Sequence, residues 1–212
     1  MTVSQIESSV TASKRAADPE TREDLILNAA DRLLARYGYK KMTVEDVAKE
    51  AGIGKGTVYL HFPSKQEVVL SHVDRIVRRL IVQLQAIADN DSPPPDQLRE
   101  VLRLRVMLRF DAVQEYTQSI SEVLRDLRSN LLERRQRHFE QEAKVIASIL
   151  REGQRTDLFR RAEPLPTARV LIAATNSLLP FSLSTRELGE RREVQATASR
   201  IAELLVDGLR PH

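Results

Sequence analysis

The sequence predicts an all-α protein, and three observations carry this prediction. Apolar residues recur with a period of about 3.6 over long stretches, which places them on one side of a helix. Only 7 glycines occur in 212 residues, and aromatic residues make up 4% of the chain. No segment is rich in the residues that favour strands. With 42% hydrophobic and 30% charged residues, such helices can bury a core and keep a charged surface.

Composition also excludes several classes of protein. Without cysteine the chain has no disulfide and no cysteine-bound zinc, which fits a reducing cytoplasm. No apolar run reaches the roughly 18 residues of a membrane-spanning helix, and the polar N-terminus is unlike a signal peptide, so we expect a cytoplasmic protein without membrane contact. The four histidines are scattered outside any catalytic or metal-binding motif, so we expect no enzyme, no metal and no cofactor.

The N-terminus combines a polar segment with an amphipathic helix. Residues 1–20 are rich in Ser, Thr and Ala and lack an apolar period, which predicts a flexible tail. A helix is then predicted from Thr21 to Tyr37, where Gly38 ends it. Its apolar positions are Ile26, Ala29, Ala30, Leu33 and Tyr37.

Two short helices joined by a glycine turn are predicted next. Thr43 and Asp46 have the spacing of a capping box, in which the threonine hydroxyl accepts a backbone N–H bond at a helix start. Gly52 then suits the positive φ at which a helix ends, and residues 55–61 form the second helix. This arrangement is typical of a helix-turn-helix.

A long helix follows the second short one. Ser64 and Glu67 repeat the capping-box spacing after Pro63, so this helix begins at Lys65. Apolar residues keep to one side of it until the break at residues 90–95. Its length, on the order of 35 Å at 1.5 Å per residue, is enough to join two domains.

The segment AKEAGIGKGTVYLHFPSKQEVV resembles the DNA-recognition region of the tetracycline-repressor-like (TetR/AcrR) family of bacterial transcriptional regulators. The family signature K-G-T-hydrophobic-Y-x-H-F-x-[ST]-K is present from Lys55 to Lys65, within a match over residues 22–70. Gly54 departs from the pattern, because a serine is common there and its hydroxyl would bond a DNA phosphate. The resemblance implies a three-helix DNA-binding domain at residues 21–66, followed by a helical ligand-binding and dimerisation domain at residues 67–212.

The resemblance also implies roles for individual residues. Lys55 and Thr57 would contact base edges, because the first turn of a recognition helix enters the major groove. Gly56 would let the backbone approach the duplex closely. For the N-terminal tail there are two interpretations. It is solvated, or its Lys14 and Arg15 reach the DNA minor groove, as homeodomain arms do. We expect contacts to DNA phosphates from Tyr59, His61, Lys65 and Thr43. Such contacts position the protein on the duplex but do not select its base sequence.

Two arginines on the apolar side are the main feature of the next helix, predicted from Asp96 to about Ala112. Arg105 and Arg109 fall in the middle of its apolar side, where a charge needs a partner. One interpretation is a ligand with a carboxylate or other acidic group, bound by a set of five residues. That set is Arg105, Arg109, Phe110, Tyr116 and His138. The alternative is a structural network in which Glu115, Glu122 or Asp126 neutralises the arginines.

Three further helices complete the prediction. One long helix from Thr117 to about Glu152 ends at Gly153 and carries His138 on its apolar side. The helix at about 167–182 is apolar nearly all round, and the helix at about 193–209 has a second apolar surface. These last two helices are predicted to form a homodimer interface, as in the resembled family; the alternative is core packing within one chain.

The functional prediction is therefore a ligand-responsive DNA-binding transcriptional regulator. It would bind a palindromic operator in double-stranded DNA as a dimer, repress, and be released by a small-molecule inducer, as the resemblance implies. The alternative is an architectural DNA-binding protein that needs no ligand. Such a protein would have no enclosed cavity, and its affinity would hardly distinguish sequences.

Overall fold

All regular secondary structure in the described part of the chain is helical, as predicted. A computed structural model describes residues 21–114, 123, 126–179 and 189–211. The predicted tail, residues 1–20, lies outside them. The α-helices are α1 (Arg22–Lys41), α2 (Val44–Glu50), α3 (Lys55–His61), α4 (Lys65–Ala88), α5 (Pro94–Gln114), α6 (Arg128–Arg155), α7 (Pro164–Thr175) and α8 (Arg191–Asp207).

Helix α1 bends sharply at Gly38. This glycine has φ 75° and ψ 171°, so the regular helix stops where the sequence predicts and one further turn follows it. Because of the bend, one residue predicted on the apolar side of this helix, Tyr37, is not in the core. Tyr37 is 51% exposed, whereas Tyr39 is buried beyond the bend, because the change of direction turns a different side of the chain inwards.

The local signals of the helix-turn-helix all appear in the structure. The Thr43 hydroxyl accepts from the Asp46 N–H at 3.1 Å, and the Asp46 carboxylate accepts from the Thr43 N–H at 3.0 Å, which completes the capping box. Gly52 ends α2 with φ 67°. Val58 and Phe62 anchor α3 in the core, so the opposite side of α3 faces outwards.

Helix α4 joins two hydrophobic cores. Its first turns pack with α1–α3 through Val68 and Leu70, and its last turns pack with α5 and α6 through Leu80 and Leu84. The start of α4 differs from prediction in one respect. Ser64 accepts from the Glu67 N–H at 3.1 Å, but the Glu67 side chain pairs with Arg134 of α6 instead of closing a capping box.

A buried polar cluster fastens α4 to α1. Arg75 donates to Asn28 Oδ1 at 2.7 Å, and its second amino group lies 3.4 Å from His72 Nδ1. A guanidinium can only donate, so Nδ1 must accept, and Nε2 carries the proton towards Asp31 Oδ1 at 3.4 Å. Burial, with Arg75 and Arg79 nearby, lowers the pKa of His72 to about 4, so His72 is neutral at pH 7.

This cluster predicts an acid-sensitive contact between α1 and α4. Between about pH 6.5 and pH 4 the unfolded chain binds a proton at His72 that the folded protein excludes, so stability falls as the pH falls. From a pKa of about 4 we expect about 1–3 kcal/mol of stability to be lost by pH 4.5. Urea unfolding at pH 7.0 and 4.5 measures this loss. His72→Gln should show a smaller loss than the parent protein, and equal losses would contradict the assignment.

The first core extends beyond the predicted boundary at residue 67. Val123, Leu127 and Leu131 are buried in it beside α1–α4. The prediction of a single helix from Thr117 to Glu152 is wrong, because the helix is interrupted at Leu127. This residue has φ −115° and ψ 14°, and α6 begins at Arg128. The break lets side chains that precede α6 turn into the core of the helix-turn-helix domain.

The prediction that Gly153 ends this helix is also wrong. Helix α6 continues to Arg155, and Gly153 lies buried inside its last turn. A Cβ atom at residue 153 would lie 2.1 Å from Cδ2 of Phe159, whose ring is buried against the helix. Glycine is needed there for space, not to stop the helix.

Substituting Gly153 with alanine should therefore destabilise the protein. The new methyl group overlaps the Phe159 ring, and overpacking of this kind costs about 1–3 kcal/mol. Gly208→Ala is a matched control, because Gly208 is exposed at the end of α8 and its Cβ would meet no atom closer than 3.4 Å. Urea unfolding should separate the two variants, and equal stability would refute the packing argument.

Helices α7 and α8 each cover one side of the C-terminal bundle. Helix α7 is shorter than predicted, since a 3-10 turn at Asn176–Leu178 follows Thr175, and residues 180–182 lie outside the described part. Val170 of α7 and Leu204 of α8 are 65% and 60% exposed. Each helix therefore buries one side and leaves apolar residues on the other. No helix within the described ranges is long and apolar enough to cross a membrane.

Candidate DNA interface and the C-terminal arginine cluster

Helix α3 presents a continuous outer surface. Lys55, Gly56, Tyr59 and His61 are exposed on it, and Thr57 is half-buried. Gly54 caps the helix without a side-chain hydrogen bond, which matches the departure noted in the sequence. The predicted base-contacting residues therefore share one accessible turn.

Several predicted DNA contacts also have partners within the protein. Lys55 Nζ lies 3.3 Å from Glu45 Oε2, and His61 Nδ1 lies 3.7 Å from Glu23 Oε1. These pairs are exposed, so DNA phosphates can compete with them at little cost. The Thr43 hydroxyl is occupied by the capping box.

Lys65 also has a partner within the protein. Its ammonium group donates to the Tyr39 carbonyl oxygen at 3.0 Å and lies 4.4 Å from the centre of the Tyr39 ring. Lys65 thus ties the start of α4 to the last turn of α1. An ammonium group has three donors, so a phosphate contact remains possible only from this fixed position.

Leu60 is a surface residue that the sequence analysis did not include. It is 85% exposed, the most exposed of the large apolar side chains in the described residues. It lies two residues after the buried Val58, about 200° around the helix, so helical projection alone would have placed it outside. An apolar side chain on this surface can contact a thymine methyl group.

The predicted ligand residues Arg105 and Arg109 form a closed ionic cluster. Both are buried, and both bind the buried Glu142 of α6: Arg105 Nε at 2.8 Å and Arg109 Nη2 at 2.5 Å. Arg105 also donates to the Thr175 hydroxyl and to Asn176 Oδ1, the latter at 3.1 Å. Burial alone would raise the pKa of Glu142, but Arg109 and Arg105 hold it below its ordinary value. Glu142 is therefore ionised.

This geometry supports the structural alternative for the arginines, with a different partner. Asp126 is exposed, and Glu115 and Glu122 lie outside the described residues. Glu142 was missed because it is 37 residues from Arg105 in sequence. It lies three residues before Val145 and four before Ile146, both buried, so its position on the apolar side of α6 was a usable signal.

Of the remaining predicted ligand residues, Phe110 and His138 are described, and they do not line a common open cavity. Phe110 is buried in a small apolar cluster, and Tyr116 lies outside the described residues. The space beside Arg109 and His138 is about 10 Å³. That is about the room needed for one water molecule.

His138 instead belongs to a charged cluster between α4 and α6. Its Nε2 lies 2.8 Å from Asp74 Oδ1, and Arg134 donates to the other Asp74 oxygen. Arg134 also donates to both oxygens of Glu67, at 2.7 and 2.9 Å. Burial alone would raise the pKa of Asp74. The hydrogen bond from His138 and the charge of Arg134 outweigh burial, so the pKa of Asp74 lies below its ordinary value. The cluster holds the first turns of α6 against α4.

These features define a class of protein: a helix-turn-helix protein whose recognition helix is exposed and whose C-terminal part is a helical bundle. Residues 26–71 match the family described as bacterial regulatory proteins, tetR family. Residues 94–201 match the tetracyclin repressor-like C-terminal domain. The chain belongs to the TetR family.

Individual relatives agree with this assignment. The transcriptional regulator EthR of Mycobacterium tuberculosis is 38% identical over 96 residues, covering 44% of this chain and 43% of EthR. The chain thus matches less than half the length of that relative. The fatty acid metabolism regulator protein of Bacillus subtilis is 25% identical over 189 residues, covering 87% of this chain and 93% of that protein. The fold resembles a transcriptional regulator from Cytophaga hutchinsonii with TM-score 0.73, at 19% identity, over 89% of this chain and 98% of that one.

Proposed function

We propose that this protein is a transcriptional repressor that binds a palindromic operator as a homodimer and is released by a small-molecule effector. Regulators of the TetR family bind DNA operators as dimers and respond to small effectors. The observation that carries the proposal for this chain is the exposed surface of α3, which Val58 and Phe62 anchor in the core beside the capped helix α2. Such a protein works in the cytoplasm, where bacterial DNA lies.

Lys55 and Thr57 are proposed to contact base edges. Lys55 can donate to guanine acceptors, and Thr57 can use its hydroxyl or its methyl group. Gly56 supports this placement, because a Cβ atom there would meet no protein atom within 4 Å. Among the described residues nothing requires glycine at this position, so the need for glycine would come from close approach of the backbone to the duplex.

Phosphate contacts are proposed for the residues around this centre. Tyr59 and His61 are exposed on α3, and Thr43 is exposed at the start of α2. The capped hydroxyl of Thr43 and the fixed ammonium of Lys65 restrict these two residues to the directions that their internal bonds leave free. We add Leu60 as a candidate for contact with a thymine methyl group.

Dimerisation is proposed through α7 and α8. Val170 and Leu204 remain exposed on helices that otherwise pack well, and burying such residues in a partner removes apolar area from water. The dimer would place two α3 helices roughly 34–36 Å apart, the distance between successive major grooves on one side of DNA.

Effector control is proposed to act through the contacts between the C-terminal helices and the DNA-binding domain. Arg134 and His138 hold α6 to α4, and Leu131 lies in the first core. A shift of α6 must therefore be accommodated at α4 and the helix-turn-helix. An effector that favours one position of α6 would change the separation of the recognition helices.

The decisive experiment is operator selection from random DNA with the purified protein. We expect a palindromic consensus whose half-sites are centred about one helical turn apart. Enrichment of no sequence would overturn the repressor proposal. It would favour the second candidate, an architectural DNA-binding protein whose affinity comes mainly from phosphates and falls steeply with salt.

A further inference from the structure

A groove runs along the outside of the C-terminal bundle between α6 and α7. Its volume is about 430 Å³, within the range of small-molecule sites. The apolar surface comes from Leu132 and Phe139 of α6 and from Ile172 and Ala173 of α7. Arg135 and Asn176 supply polar groups at its edge. The groove could therefore hold the apolar body of a ligand beside a cation.

Arg135 is the unusual member of this lining. It is half-buried, and its guanidinium lies 5.1 Å from the centre of the Phe139 ring. No carboxylate among the described residues lies within ion-pair distance of it, whereas the neighbouring Arg134 binds two. Burial and the charge of Arg109 lower the pKa of Arg135. A half-buried cation without a carboxylate partner is stabilised by an anion that binds beside it.

The surroundings of Phe139 carry excess positive charge. Arg105 and Arg109 lie 5.6 and 6.0 Å from the ring centre on its inner side, where Glu142 neutralises only one of them. At the rim, Arg169 is neutralised by Glu140 at 2.9 Å. The groove itself is lined by two guanidinium groups, those of Arg135 and Arg169, and by one carboxylate, that of Glu140, so its charge is complementary to an anion.

We propose that this groove is the effector site, and that the effector is an amphipathic anion whose acidic group binds Arg135 and whose apolar body covers Phe139. The proposal rests on the proposed ligand-controlled repressor and names the chemistry of its ligand. It differs from the five-residue site predicted from sequence, whose arginines are already paired.

The groove lies where a ligand can act on DNA binding. Leu132, Arg135 and Phe139 line it, and Arg134 and His138 alternate with them along the same turns of α6. Arg134 and His138 make the ion pairs to α4. A ligand that draws Arg135 and α7 together would thus move the segment of α6 that holds α4.

The test uses the full-length protein and the fluorescent anion 1-anilinonaphthalene-8-sulfonate. We expect Arg135→Gln to weaken its binding roughly tenfold or more, as loss of a charge-assisted bond implies. Binding of N-phenyl-1-naphthylamine, which lacks the sulfonate, should be unchanged. Arg151→Gln is the matched control, because Arg151 is exposed on the same helix outside the groove. Equal sulfonate affinity in both variants would overturn the proposal.

A second measurement links the site to DNA and does not depend on Arg135. Ala173→Phe fills the groove from an exposed position and should abolish sulfonate binding by steric exclusion. Decanoate, but not decan-1-ol, should release the selected operator from the parent protein and not from either groove variant. If all proteins bind the operator and decanoate acts equally on each, the groove assignment fails while the repressor stands. If the parent protein selects no operator, the proposed function fails.

Discussion

Replacing Glu142 with glutamine is expected to lower the free energy of unfolding by about 3–5 kcal/mol, the cost of removing one partner from a buried ion pair. The substitution keeps the shape of the side chain and removes its charge. Arg105 and Arg109 would then be two buried guanidinium groups without a carboxylate. Urea unfolding at pH 7 and fixed protein concentration measures the loss, since a dimer's stability depends on concentration.

Two controls separate this effect from a general response to lost charge. Glu140→Gln removes a carboxylate two residues away that pairs with Arg169 on the surface, and it should leave stability nearly unchanged. A triple variant, with Arg105, Arg109 and Glu142 all changed to methionine, should be more stable than Glu142→Gln alone, because it leaves no unpaired charge. If Glu142→Gln unfolds like the parent protein, the cluster does not stabilise the bundle.

The second large effect concerns DNA. Lys55→Ala is expected to weaken binding to the selected operator by about thirtyfold or more, since each of the two half-sites loses a base contact worth about 1–3 kcal/mol. The loss should fall on one base pair in each half-site, where the variant accepts other bases. Affinity measurements on operators changed at single positions test this expectation.

Arg161→Ala is the matched control for Lys55→Ala, because it removes the same charge from an exposed position in the C-terminal part. It should leave operator affinity unchanged. A different outcome would reassign Lys55. Binding could weaken equally on all sequences while the slope of log affinity against log salt concentration falls by the share of about one phosphate contact. Lys55 would then contact the DNA backbone and not a base.

Prediction from sequence succeeded where the signals are local. The capping box of Thr43 and Asp46 spans three residues, and the positive φ of Gly52 needs only the absence of a Cβ atom. Such features depend on neighbours along the chain. The helix-turn-helix and the long α4 were therefore visible before any tertiary contact was known.

Prediction was weaker where a residue's role depends on distant contacts. A glycine such as Gly153 is typical of a helix end, yet its role here is to leave space for the Phe159 ring. Lys65 matches a DNA-contact signature, and its ammonium group also binds the Tyr39 carbonyl, 26 residues away, a contact that the signature does not predict. In both cases the deciding partner comes from another part of the chain, and periodicity contains no information about it.

The sequence was sufficient to predict that this chain is helical, that it carries a helix-turn-helix of the TetR type, and that two arginines lie on the apolar side of α5. It determined these points because helix caps, glycine turns and apolar periodicity act over a few residues. The fold was needed to show that Glu142 binds both Arg105 and Arg109 and that Arg135 lines an open groove. Electrostatic energy depends on distance in space, and the folded chain alone sets which charges meet.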